Sequence, residues 1–192
     1  MQPSPAPLPG GFEYRTEFLS SEEERALVAE IARLPFEEIR MYGVTAKRRV
    51  VHTGWLYGFQ TWKVTPGPPI PEFLLPVRER LAEMVEKPPQ DLAEALVMEY
   101  PPGAGIGWHR DAPVFGLVVA VSLAGSCRLR FQSGKGAERR TAELLVEPRS
   151  AYALTGEART KWQHSIPPVK ELRYSITFRT LRRRAVSSPE IL

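Results

Sequence analysis

Apolar positions in "LSSEEERALVAEIARLP" fall at Leu27, Ile31 and Leu34, a spacing that lines one face of an α-helix. Ser20 or Ser21 can cap that helix, Glu23 or Glu24 three residues on can close a capping box, and Pro35 stops it. A second helix is expected over "PEFLLPVRERLAEMVEK", with Phe73, Val77, Leu81 and Met84 or Val85 turned inward and Pro88-Pro89 ending it. After residue 95 the pattern changes. "ALVMEYP", "LVVAVSL", "CRLRFQS", "AELLVEP", "SAYALTG" and "LRYSITFRTLR" are short runs rich in β-branched and aromatic residues, separated by turn residues. Such runs predict an antiparallel barrel or two-sheet sandwich. The segment "TAKRRVVHTGWLYGFQTW" is expected to add one or two strands and a loop over the sheet. The expected architecture is therefore α+β in one domain. A lead-in (1–12) precedes a helical, substrate-covering part (13–94), a β core (95–182) and a tail (183–192).

Composition adds limits. The 192 residues are 43% hydrophobic and 25% charged, the range of a globular domain that buries its own core. No apolar run approaches the ~18 residues of a membrane-spanning helix, and "MQPSPAPLPGG" has neither the basic start nor the apolar run of a secretory signal. The single cysteine, Cys127, excludes an intrachain disulfide and fits a reducing compartment, so a cytoplasmic monomer is expected. The net charge is +4, with clusters at Lys47-Arg48-Arg49 and at Arg179 with Arg182-Arg183-Arg184. That balance favours a polyanionic partner such as nucleic acid; an arginine-rich solvated surface is the plainer alternative.

The chemistry centres on "GIGWHRDAP". On an extended segment His109 and Asp111 point to one face and can converge on one ion. Of the other two histidines, His52 lies among basic residues and His164 in the β half, where several strands can return it to the same end of a sandwich. Two histidines and a carboxylate form the facial triad of non-haem Fe(II) oxygenases, and the same ligands can hold catalytic zinc. A hydrogen-bonded His–Asp pair at a loop is the alternative without a metal. The last strand favours the site. In "RYSITFR", Arg173, Ser175, Thr177 and Arg179 face one way and Tyr174, Ile176 and Phe178 the other. If that face turns inward, two arginines with Cα atoms roughly 20 Å apart call for anions, and their side chains could hold the two ends of a small dicarboxylate; a solvated outer face with the arginines in water is the alternative.

The ordered runs "MEYPPGAGIGWHRD", "LVVAVSL", "LLVEPRSAYALTGEARTKWQH" and "RYSITFR" resemble AlkB-type Fe(II)/2-oxoglutarate-dependent dioxygenases. The resemblance covers about residues 95–182 and extends more loosely to "KRRVVHTGWLYGF", which is similar to the corresponding segment of the branch acting on tRNA wobble uridine. It implies a double-stranded β-helix, or jelly roll, in which His109, Asp111 and His164 bind Fe(II). It also implies that Arg173 pairs with the distal carboxylate of 2-oxoglutarate, that Tyr100 hydrogen-bonds the co-substrate and that Arg179 lies near its metal-bound end. Met98 and Ser175 stand where many members have Asn, which touches fine positioning only. The implied activity consumes O2, converts 2-oxoglutarate to succinate and CO2, and hydroxylates or demethylates a modified base in DNA or RNA. Trp55 and Tyr57 are candidate stacking residues, Arg48 and Arg49 candidate phosphate contacts, and Arg110 a candidate substrate contact. The alternatives are the same chemistry on a protein side chain or small molecule, and a non-enzymatic jelly-roll nucleic-acid-binding domain.

Overall fold

The computed structural model describes residues 7–41, 44–58 and 63–182. The expected tail, with Arg183 and Arg184, lies outside them. Helix α1 (Ser21–Ile31) starts at the expected capping box. The Ser20 hydroxyl accepts from the Glu23 N–H, and the Glu23 carboxylate accepts from the Ser20 N–H. Helix α2 (Leu75–Met84) follows a short 3-10 turn (Glu72–Leu74) and carries Pro76 in its first turn, where a missing N–H costs nothing. Both helices turn their apolar faces to one side of a large sheet. Leu27, Ile31, Val77 and Leu81 meet Val97, Val121, Ile176 and Phe178 in a single buried cluster.

That sheet has eight antiparallel strands. Its path runs β1 (Phe12–Arg15), β10 (Ala151–Leu154), β7 (Phe115–Leu123), β12 (Arg173–Leu181), β5 (Leu92–Tyr100), β3 (Val44–Tyr57) and β2 (Glu37–Met41), with β4 (Val64–Pro66) paired to β3. A second, four-stranded sheet orders β6 (Ile106–His109), β11 (Gln163–Ile166), β8 (Cys127–Ser133) and β9 (Arg140–Val146). Tyr100, Leu129, Phe131, Val146 and Tyr152 fill the space between the sheets as a second buried cluster. The two facing sheets form the expected jelly roll, with the helices behind the larger one. A short helix α3 (Gly156–Thr160) links β10 to β11. Among the described residues no helix is long and apolar enough to cross a membrane.

The expected division between a helical part and a β core falls inside β5, because β1 to β4 precede that strand. "VTAKRRVVHTGWLY" forms one of the expected strands, paired to β5 from Arg49 to Gly54, and the remainder, at residues 59–62, lies outside the described residues. Both faces of β3 are partly covered, with Val50 buried on one side and Thr53 on the other, and this blurs the two-residue period. The lead-in also ends early. Phe12 belongs to β1, and its ring meets Phe131 edge-on at 5.0 Å.

Gly54 is where β3 changes partners. It sits opposite Glu94 of β5, and from Trp55 onward the strand pairs with β4. Its φ of +77° is in the left-handed region, and an added Cβ would lie 2.2 Å from the Ala93 carbonyl oxygen. Gly54→Ala should therefore lower unfolding free energy by about 1–3 kcal/mol, read by denaturant titration. A native-like midpoint would contradict this account of the turn.

Candidate active site

Strand register brings the two sequence-distant histidines together. In the β6–β11 pair His164 sits directly opposite His109, so both side chains lie on one face, with ring centroids 4.2 Å apart. Asp111 follows just past the end of β6. The ligating atoms of His109, Asp111 and His164 all lie within 4.8 Å of one another. His109 Nδ1 lies 2.9 Å from the Gly107 carbonyl, which makes Nδ1 the donor and leaves the Nε2 lone pair free. Asp111 Oδ2 is buried with no hydrogen-bond partner and lies 3.7 Å from His164 Nε2. Buried lone pairs converging without a proton donor of their own fit a divalent cation.

Each group's protonation state follows from its surroundings. Burial, reinforced by the neighbouring His109, pushes His164 down to about 4. Burial also lowers His109. Burial alone would raise the Asp111 carboxyl, but Arg179, then His164 and His109, outweigh it and hold it well below the usual carboxylate range. At neutral pH the triad is two neutral imidazoles and one carboxylate, which is the form a metal binds.

The two arginines of β12 face the space between the sheets but have different tasks. Arg179 is committed to protein carboxylates. Its Nη1 holds both oxygens of Glu94 at 3.0 and 2.7 Å, while Nε and Nη2 hold Asp111 Oδ1 at 2.8 and 2.6 Å. Arg179 therefore fixes the Asp111 carboxylate beside the two histidines. Arg173 is fully buried; its Nε donates to the Ser122 hydroxyl at 2.9 Å, and the Tyr152 hydroxyl lies close enough to act on it. Both Nη atoms lack partners. Its guanidinium stands 5.1 Å from the Tyr100 ring centre. The Tyr100 hydroxyl donates to Met98 Sδ at 3.3 Å, a weak acceptor that leaves it available to a better one. Burial keeps that phenol protonated, raising it to about 12. Two unpaired buried N–H groups and a weakly engaged hydroxyl fit a carboxylate.

The candidate substrate residues separate. Arg49 lies opposite Glu99 on the helix side of the sheet, ion-paired to it at 2.8 Å and stacked against Phe36. Arg49 therefore cannot reach the triad. Arg48, one residue earlier, donates to the Gly105 carbonyl at 3.4 Å, beside the start of β6. Tyr57 meets Phe115 edge-on at 6.0 Å, and Phe115 lies under Arg179 at 5.1 Å, which places Tyr57 near the site. Trp55 lines a different depression with Pro66, Pro68, Ile70 and Arg78, none of them next to the triad. Arg110 is exposed beside Asp111. Sequence reasoning missed Glu94, which is 1% exposed and also contacts His52 Nδ1 at 3.4 Å. The signal was present: Glu94 shares a strand face with Tyr100, and a carboxylate there demands a cation.

A jelly roll that gathers two histidines and a carboxylate between its sheets defines the class as a non-haem metal oxygenase. A family model described as the 2OG-Fe(II) oxygenase superfamily matches residues 11–179, and the chain belongs to that family. It is an AlkB-like member and an oxidoreductase that uses Fe(II) and 2-oxoglutarate. It is 30% identical over 184 residues to an Arabidopsis thaliana protein named alkylated DNA repair protein ALKBH8 homolog, covering 83% of this chain and 51% of that one. It is 28% identical over 173 residues to the mouse tRNA (carboxymethyluridine(34)-5-O)-methyltransferase ALKBH8, covering 85% of this chain and 25% of that protein. The chain thus spans about half or less of these two relatives. The solved structure of OsALKBH1 superposes with a TM-score of 0.69 at 16% identity, over 91% of this chain and 99% of that one. A Pseudomonas putida prolyl-4-hydroxylase gives a TM-score of 0.61, also at 16% identity, over 90% and 93%. These two likenesses concern the fold.

The histidine shift carries a pH dependence. Unfolded His164 takes a proton near the ordinary 6.5 and the folded residue only near 4. Stability of the metal-free protein is therefore complete above about pH 6.5 and is lost as pH falls through 4, with the depressed Asp111 acting in the same direction at still lower pH. The His164 contribution is of order 3 kcal/mol. Denaturation midpoints measured in chelator should fall across that window, and His164→Asn should flatten the profile. A profile independent of pH would contradict a buried neutral imidazole.

Proposed function

We propose that this protein is a dioxygenase that hydroxylates or oxidatively demethylates a modified base in nucleic acid, drawing on Fe(II), 2-oxoglutarate and O2. The observation that carries the co-substrate half is Arg173, a buried guanidinium whose two terminal nitrogens meet no protein acceptor. In this reading His109 Nε2, Asp111 Oδ2 and His164 hold the iron. Arg173 and the Tyr100 hydroxyl hold the distal carboxylate of 2-oxoglutarate. Bound together, iron and 2-oxoglutarate couple O2 reduction and decarboxylation to oxidation of a C–H bond. Arg179 and Glu94 are positioning residues that fix the Asp111 carboxylate so that one oxygen points to the metal. No protein general base is required, and none is assigned.

The nucleic-acid half rests on the printed activities of the two ALKBH8 relatives and on the positive balance of the chain. Tyr57, Arg48 and Arg110 are the proposed substrate contacts, the first as a stacking ring and the others as phosphate or base-edge donors. Arg49 and Trp55 drop out because they serve other surfaces.

The test is succinate formation with Fe(II) and ascorbate across methylated single-stranded DNA, duplex DNA and tRNA. Turnover stimulated by one nucleic acid supports the reading. Turnover indifferent to all of them moves the substrate to a protein side chain or small molecule. His109→Ala and Asp111→Ala should abolish succinate formation while leaving the far-ultraviolet circular dichroism native. Arg173→Gln removes two charge-assisted hydrogen bonds and should raise the KM for 2-oxoglutarate roughly ten- to hundredfold. An unchanged KM would rule out its role.

A further inference from the structure

We propose that the turn after Asp111 carries a phosphate anchor, formed by Arg182 and reinforced by Arg159, that seats a backbone phosphodiester beside the target base of a single-stranded nucleic acid. This rests on the nucleic-acid reading above and adds a site to it.

The key observation is two guanidinium groups that meet at one carbonyl. Arg159 of α3 is only 6% exposed. Its Nη2 donates to the carbonyls of Ala112 and Phe115 at 2.8 and 2.7 Å, and its Nε has no partner. Arg182, exposed, donates Nε to the same Phe115 carbonyl at 3.3 Å, and its backbone N–H bonds the Val114 carbonyl at 2.9 Å. Among the described residues neither guanidinium hydrogen-bonds a carboxylate, although the Asp111 charge acts on Arg159. Asp111 is the acid nearest the turn in sequence, and its Oδ1 already belongs to Arg179. Arg49, Arg80, Arg128 and Arg149, by contrast, each sit within 4 Å of a glutamate, whereas Arg173 shares the lack of a carboxylate.

A buried cation with no carboxylate bonded to it is costly, and two cations sharing one acceptor repel each other. An anion at Arg182 relieves both. A phosphodiester suits the fork because its two non-bridging oxygens match two parallel N–H groups. The Arg159 charge, only partly offset by Asp111 and held away from solvent, raises the potential felt at Arg182. The location also fits. Arg110 stands exposed at the other end of the turn, and the Phe115 ring joins Tyr57 to Arg179 beside the triad. A strand anchored at Arg182 would present its neighbouring base to that aromatic pair.

The experiment measures binding of a fluorescein-labelled single-stranded RNA to the full chain by anisotropy, over a series of salt concentrations. Arg182→Gln should weaken binding severalfold and reduce the log–log salt slope by about 0.7, the loss of one phosphate contact. Arg182→Lys, which keeps the charge, should retain the slope. Native slope in Arg182→Gln overturns the anchor while leaving the nucleic-acid reading intact. Loss of slope in the lysine variant as well marks the effect as structural and also overturns it. A native protein that binds no RNA or DNA while still turning over 2-oxoglutarate overturns the nucleic-acid reading and the anchor together.

Discussion

The guanidinium of Arg179 is the tie on which the site depends. It joins β12 to β5 through Glu94, and both to the turn after β6 through Asp111, so it clamps the larger sheet to the smaller one where the triad lies. All three groups are buried, and each would be costly alone. Together they form a cluster with two negative charges and one positive. The Asp111 oxygen that Arg179 does not hold, Oδ2, faces His164, where a divalent cation would meet it. Burial would lower Arg179, but Glu94 and then Asp111 raise it further above its ordinary value, so the clamp stays charged throughout the physiological range.

Six residues away on the same strand face, Arg173 is treated in the opposite way. It receives a hydroxyl and an aromatic ring but no carboxylate. Within one strand the protein therefore neutralises one arginine itself and leaves the other for an incoming acid. This gives the interior of the jelly roll a direction. Its saturated end holds the Asp111 carboxylate beside the two histidines, and its unsaturated end keeps a buried guanidinium without a carboxylate.

How much of this was legible follows from what each feature depends on. The alternation in "RYSITFR" placed Arg173 and Arg179 on one face, and the H-x-D spacing placed His109 beside Asp111, because both are local properties of extended chain. The capping box of α1 was readable for the same reason. What escaped depends on register between distant segments. Arg179 and Glu94 are 85 residues apart, and only the β12–β5 pairing sets them face to face. Arg48 and Arg49 look alike in sequence, yet a single step along β3 sends one towards β6 and the other behind the sheet to Glu99. Trp55 and Tyr57 were both candidate stacking residues, but beyond Gly54 they meet different neighbours. The length of β3 and its place within the larger sheet were obscured because neither of its faces is wholly apolar or wholly wet.

The state of the triad before any metal arrives follows from the same interactions. His164 and His109 are held neutral by burial, and Asp111 is held ionised by Arg179 against its own burial. A metal entering this site displaces no proton from either imidazole at neutral pH, so none of its binding energy is consumed by deprotonation. The Gly107 carbonyl fixes the His109 tautomer, and Arg179 occupies one oxygen of Asp111, so neither ligand has to reorient. The cost of this preorganisation is carried by the fold in advance, as two imidazoles withdrawn from water and a carboxylate oxygen, Oδ2, left without a donor. Glu94 sets how far the fold can sustain that cost. Without it, Arg179 would hold a single carboxylate, and the buried positive charge would compete with the metal for the same Asp111 oxygens.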